Sequence, residues 1–100
     1  MSELKSEHAD IEDDSKWVRG ITFRALFRAG SPELTDDEIL QGINKVLPNA
    51  TMARLEADTE PIYKLTLHSA IPVKFFNKRL PFLRRLEGFG VEVISYEIRD

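Results

Sequence analysis

The sequence predicts an α+β domain of ferredoxin-like, split βαβ type, in which a four-stranded antiparallel sheet carries two helices on one face. The first observation is the order of hydrophobic periods between Trp17 and Arg99. It runs two, near 3.6, two, two, near 3.6 and two, which reads strand–helix–strand–strand–helix–strand. The second is size: 100 residues leave room for one hydrophobic core and no more. The domain accordingly spans 17–100. Residues 1–16 carry Glu3, Glu7, Asp10, Glu12, Asp13 and Asp14 against Lys5 and Lys16, without sustained periodicity, and read as a mobile acidic tail.

The first strand is WVRGITFRALFR. Ile21, Phe23, Ala25 and Phe27 alternate with Thr22, Arg24, Leu26 and Arg28, so one face is apolar and the other largely basic. Gly20 marks a bulge or a close backbone approach. After the turn-rich AGSPEL, Thr35-Asp36-Asp37-Glu38 has capping-box spacing and opens a helix. Its stripe is Ile39, Leu40, Ile43, Val46 and Leu47, and Pro48-Asn49 stops it. Gly42 inside it costs about 1 kcal/mol relative to Ala and marks close packing on the sheet.

The second strand covers Ala50 to Ala57 and is polar enough for an edge. Asp58-Thr59-Glu60-Pro61 is a hairpin connection leading to IYKLTLHS, where Tyr63, Leu65 and Leu67 alternate with Lys64, Thr66 and His68. Val73, Phe76, Leu80, Leu83 and Leu86 then recur at helical spacing. Pro81 interrupts them, and the reading that places it in a first turn starts this helix near Asn77–Lys78. Gly88 or Gly90 supplies the left-handed C-terminal residue. The last strand, VEVISYEIR, sets Val91 and Val93 on one face and Ile94, Tyr96 and Ile98 on the other.

Catalytic chemistry finds no constellation in this chain. The five glycines form no phosphate loop, and with no Cys there is neither a thiolate metal site nor a disulfide. His68 and Ser69 are adjacent on a strand and point apart, with no third group to orient them. His8 lies in the tail among carboxylates whose spacing matches no metal loop. The expectation is a protein without enzymatic activity, cofactor or metal. The start has no apolar core of signal-peptide type and no segment approaches a membrane span, so a cytoplasmic protein that does not enter membranes is expected.

Two surfaces remain. The sheet face away from the helices would display Arg24, Arg28, Lys64, Thr66 and His68, with Ile94, Tyr96 and Ile98 beside them. The second helix carries Lys74, Lys78, Arg79, Arg84 and Arg85 with no acid before Glu87. A net charge of -3 and a pI near 5.4 argue against a sequence-blind polyanion binder. The reading is therefore a small regulatory or adaptor protein that docks on another protein through one or both surfaces. Its size also suits an accessory or virus-encoded inhibitor. The other readings are a homodimer through the Ile94–Tyr96–Ile98 strip and an RNA- or single-stranded-DNA-binding module using Arg24, Arg28, Lys64 and Tyr96. A small-molecule sensor dimerised through its sheet has no pocket motif behind it. The acidic tail is expected either to fold over the sheet or to shield the basic helix in cis.

The stretch ITFRALFRAGSPELTDDEI resembles the strand-to-helix junction of the ferredoxin-fold anticodon-binding domain of phenylalanyl-tRNA synthetase, in its aromatic–Arg strand, short loop and L-T-D-[DE]-E helix start. The likeness covers about a fifth of the chain. In that family the junction leads to the second helix and here to the first, so no site residue is carried over.

Overall fold

In a computed structural model, residues 15–30, 32–55 and 61–99 are described. The elements run β1 (Trp17–Phe27), α1 (Asp36–Asn44), β2 (Ala50–Arg54), β3 (Ile62–Pro72), α2 (Val73–Arg84) and β4 (Phe89–Arg99). The strands pair antiparallel in the order β2-β3-β1-β4. The α+β architecture of four antiparallel strands and two helices is thus as expected. The expected acidic tail falls on 1–16, of which 1–14 lie outside the described residues, as do 56–57 of the expected second strand and 58–60 of the hairpin connection.

α1 begins where its capping chemistry dictates. The Thr35 amide donates to Glu38 Oε1 at 2.9 Å and the Glu38 amide donates to Thr35 Oγ1 at 3.2 Å, which closes the capping box. Ile39 and Ile43 are buried from this helix, and Leu47 joins them from the turn behind it. The Ala50 amide donates to Asn44 Oδ1 at 3.0 Å, tying the end of α1 to the edge strand.

The expected late start of α2 is corrected. The helix begins at Val73 and runs through Pro81, burying Val73, Phe76, Leu80 and Leu83. Its first amide has a partner outside the helix, because Val73 N donates to the Lys16 carbonyl at 3.1 Å. Magnitudes explain the choice. An interior proline costs about 3 kcal/mol, whereas burying two more large apolar side chains, Val73 and Phe76, contributes about 3–6 kcal/mol. Gly88, with φ +88°, is the left-handed residue after the helix. At Gly90 a Cβ would lie 2.7 Å from the Arg84 carbonyl oxygen, so glycine lets β4 pass close beneath the end of α2.

Two bulges set the faces of the sheet. On β1 the pairing with both neighbours shifts between Val18 and Gly20, with Arg19 the extra residue against β4, as the glycine foretold. On β4 the pairing shifts from Thr22↔Ser95 to Phe23↔Val93, which leaves Ile94 as an extra residue. Phe89, Val91 and Val93 face the core before that bulge, and Tyr96 faces it afterwards. Tyr96 is only 7% exposed and its ring meets Phe76 of α2 edge-on, 5.7 Å between centroids. Ile98 is half-buried against the same core. The expected open-face strip of Ile94, Tyr96 and Ile98 therefore does not exist. β2 ends at Arg54, and it turns Ala50 and Met52 toward the core while Thr51 and Ala53 are exposed.

Glycines 20 and 42 offer a paired test by chemical unfolding. A Cβ at Gly20 would sit 2.7 Å from the Leu65 carbonyl oxygen, so Gly20→Ala lowers stability by about 1–3 kcal/mol. At Gly42 the nearest atom would be Leu86 Cδ1, at 3.4 Å. That is ordinary contact rather than the close sheet packing expected, so Gly42→Ala raises stability by up to about 1 kcal/mol through helix propensity. Equal effects at both sites would contradict the register described.

Candidate docking surfaces

The open sheet face is less basic than its cations alone suggest. Arg24 of β1 pairs with Glu92, its direct neighbour on β4. Lys64 Nζ of β3 lies 2.7 Å from Glu97 of β4, and Arg19 Nε approaches the same carboxylate at 3.9 Å. Glu97 reaches Lys64 across Gly20, where the absence of a side chain leaves the path open; a Cβ there would be 3.3 Å from Glu97 Oε1. These acids belong to the strand beside β1, and a reading of the cations alone overlooks them. Arg28, past the end of β1, and His68 on β3 are both exposed. Ser69 is exposed as well, in a stretch where β3 departs from regular pairing with β1 between Thr66 and Ile71.

This arrangement takes Tyr96 off the stacking platform expected for a nucleic-acid contact. With Tyr96 packed on Phe76, the ring expected on the open face is beneath it, and Arg24 and Lys64 already face carboxylates. The dimer strip loses two of its three members for the same reason. Ile94, half-buried at the bulge, is the member that stays off the core.

The outer face of α2 is different in kind. Phe75 is 49% exposed and Phe82 is 61% exposed, and a separation of seven residues sets both on one side of the helix. Between them stands Lys78, whose ammonium lies 5.9 Å from the Phe75 ring centroid. Lys74, Arg84 and Arg85 are exposed around them and Arg79 is half-buried. Among the described residues, no carboxylate lies within ion-pair distance of any of these five cations. The aromatic pair went unnoticed beside the basic run, although its spacing is plain: Phe75 and Phe82 fall between the positions of the buried stripe Val73–Phe76–Leu80–Leu83.

A cleft of about 270 Å³ lies between α1 and the α2–β4 connection, lined by Leu34, Glu38, Gly42, Lys45, Leu86 and Phe89 among others. Its Glu38 is already engaged in the capping box. Among the described residues, no group of three His, Asp or Glu side chains is placed to hold a metal ion, and no helix is long and apolar enough to cross a membrane.

The Tyr63 hydroxyl is strongly perturbed, and its role is structural. Tyr63, buried and stacked on Phe23, donates its hydroxyl to Asp36 Oδ1 at 3.0 Å at the start of α1. Burial, first, and then the hydrogen bond and charge of Asp36 push its pKa up to about 12. Arg54 opposes this weakly, with its guanidinium 5.8 Å from the ring centroid and 3.9 Å from Asp36.

Comparison of the chain with protein-family models, with curated proteins and with solved structures finds no match. The junction likened above to the synthetase domain thus stands on its capping box alone.

The Tyr63 shift carries a sign. The native state holds this proton to higher pH than the unfolded chain, where the phenol has a pKa near 10. Its stabilisation is therefore full below pH 10 and is lost as pH rises through about 12. Over that window Tyr63 accounts for about 2–3 kcal/mol of lost stability. Urea unfolding at stepped pH should show Tyr63→Phe with a shallower decline above pH 10 than the parent chain. Parallel declines would contradict the Tyr63–Asp36 contact.

Proposed function

We propose that this chain is a small, non-catalytic docking module that uses the outer face of α2 as its contact surface. The observation that carries the reading is the exposed Phe75–Phe82 pair among cations that face no carboxylate among the described residues. Isolated exposed apolar residues are ordinary, but two large aromatics on one helix face are an anchor pattern. A helix with anchors at i and i+7 suits an apolar groove, and the surrounding cations suit an acidic rim. The expected partner is a protein with such a groove, and the cytoplasm is the expected setting. The order β-α-β-β-α-β, with sheet order β2-β3-β1-β4, supports a ferredoxin-like reading of the scaffold.

The test is retention of cellular proteins by the immobilised full chain. Phe75→Ser with Phe82→Ser should reduce retention of specific proteins by about tenfold or more, with the thermal midpoint little changed because both side chains face solvent. Arg24→Ala, on the sheet, should leave retention intact. Retention unaffected by the α2 substitutions would place the contact elsewhere. Binding to anionic vesicles with no protein retained would reassign the face to a lipid surface, and salt-sensitive retention of an oligonucleotide would restore the nucleic-acid alternative.

A further inference from the structure

We infer that one partner of the outer face of α2 is a second copy of this chain, with Phe82 of each copy seated in the other's cleft between α1 and the α2–β4 connection. The inference rests on the docking reading, because it takes the same helix face as the contact and gives it an occupant. That reading calls for an apolar groove with acid at its rim, and this chain carries such a groove. The cleft, about 270 Å³ in volume, is lined by Leu34, Gly42, Leu86 and Phe89, with Glu38 and Glu87 among its polar residues. Its Lys45 lies about 10 Å along α1 from Glu38, so the end that holds the first turn of α1, with Asp36, Asp37 and Glu38, is acidic.

Gly42 points to a use for this space. A glycine inside a helix costs about 1 kcal/mol relative to alanine. Here neither backbone nor packing demands one: its φ is not positive, and a Cβ would meet nothing closer than Leu86 Cδ1 at 3.4 Å. A longer side chain would run on towards Leu86 and Phe89, into the cleft. What the glycine leaves is room between α1 and those two side chains, and a phenyl ring suits that room.

Phe82 is the ring placed to use it. It is 61% exposed, whereas Phe75 is 49% exposed and has the Lys78 ammonium over its ring. Phe82 stands in the last turn of α2 and Leu86 lies just past the end of that helix, so ring and cleft share one end of the molecule. Exposed as it is, Phe82 does not fill the cleft of its own copy. A two-fold axis between two copies satisfies both rings and both clefts at once, because an isologous interface forms each contact twice. It also brings Arg84 and Arg85, neither of which has a carboxylate within ion-pair distance among the described residues, towards the acidic rim of the facing cleft. An interface built on one ring per copy is small, so the dissociation constant is on the order of 0.1 mM. Pairing this weak yields to any partner with a deeper groove.

The test uses the full chain. Sedimentation should give a mass of 11.5 kDa at about 10 μM and a rise towards twice that at about 1 mM. Phe82→Ser and Gly42→Met, which fills the cleft, should each weaken pairing about tenfold or more, and Phe75→Ser less. The seat is then located by adding unlabelled parent chain to isotope-labelled Phe82→Ser, which keeps its cleft but has no ring to offer. The amide signals of Leu34, Gly42, Leu86 and Phe89 should shift, and adding unlabelled Phe82→Ser instead should leave them in place. A mass of 11.5 kDa at every concentration overturns the inference, as do cleft signals that ignore the parent chain or shifts centred on Thr22, Arg24 and Lys64. These outcomes are separable from the docking reading. A monomeric chain that still retains cellular proteins through Phe75 and Phe82 keeps docking and overturns self-pairing. Pairing through the cleft with no other protein retained supports self-pairing and leaves the second copy as the partner.

Discussion

The extra residue at Ile94 is the constraint on which the two-sided character of this molecule depends. β4 needs apolar side chains facing the helices along its whole length, yet VEVISYEIR changes phase midway. Without a bulge, Tyr96 and Ile98 would stand opposite Val91 and Val93, and the core beneath the start of α2 would lack its aromatic partner for Phe76. With the bulge, both halves of the strand serve one core. Burying a ring of that size outweighs one disrupted ladder position at the edge of the sheet. The result is a sheet with one apolar face and one face of paired charges.

Redistributing the aromatics in this way also redistributes the surface chemistry. Once Tyr96 is inside, the open face offers Arg24 and Lys64 in ion pairs with Glu92 and Glu97, a cross-strand arrangement typical of a solvated sheet face. The exposed phenyl rings with cations around them are those of α2. That helix carries two stripes: Val73, Phe76, Leu80 and Leu83 inward, and Phe75 and Phe82 outward. The inner stripe is buried and holds the helix to the sheet, whereas the outer pair is largely exposed.

The legibility of the sequence follows the same line. Elements with a single period were read directly: the capping box of Thr35 and Glu38, the alternation of Tyr63, Leu65 and Leu67, and the glycine bulge at Gly20. Elements with two competing signals were misread. In α2 a proline suggested a late start, but the burial of Val73 and Phe76 outweighed it. In β4 the change of phase reads as two apolar faces, whereas it marks an inserted residue. The pairing of cations with Glu92 and Glu97 was hidden because cross-strand neighbours depend on register, which a single strand's pattern does not contain. Phe75 and Phe82 stand in the sequence at helical spacing, but their exposure depends on where α2 begins, which Pro81 obscures.

The most direct test of this account is the position of the Tyr96 ring in the full-length protein, read by aromatic nuclear Overhauser effects together with a soluble paramagnetic relaxation agent. The account predicts cross-peaks between the rings of Tyr96 and Phe76. It also predicts strong protection of Tyr96 from the agent, with Phe75 and Phe82 more accessible than Tyr96. A Tyr96 ring relaxed by the agent as readily as an exposed side chain, with no cross-peak to Phe76, would mean that β4 has no bulge at Ile94. The open face would then carry the aromatic strip that this account places in the core.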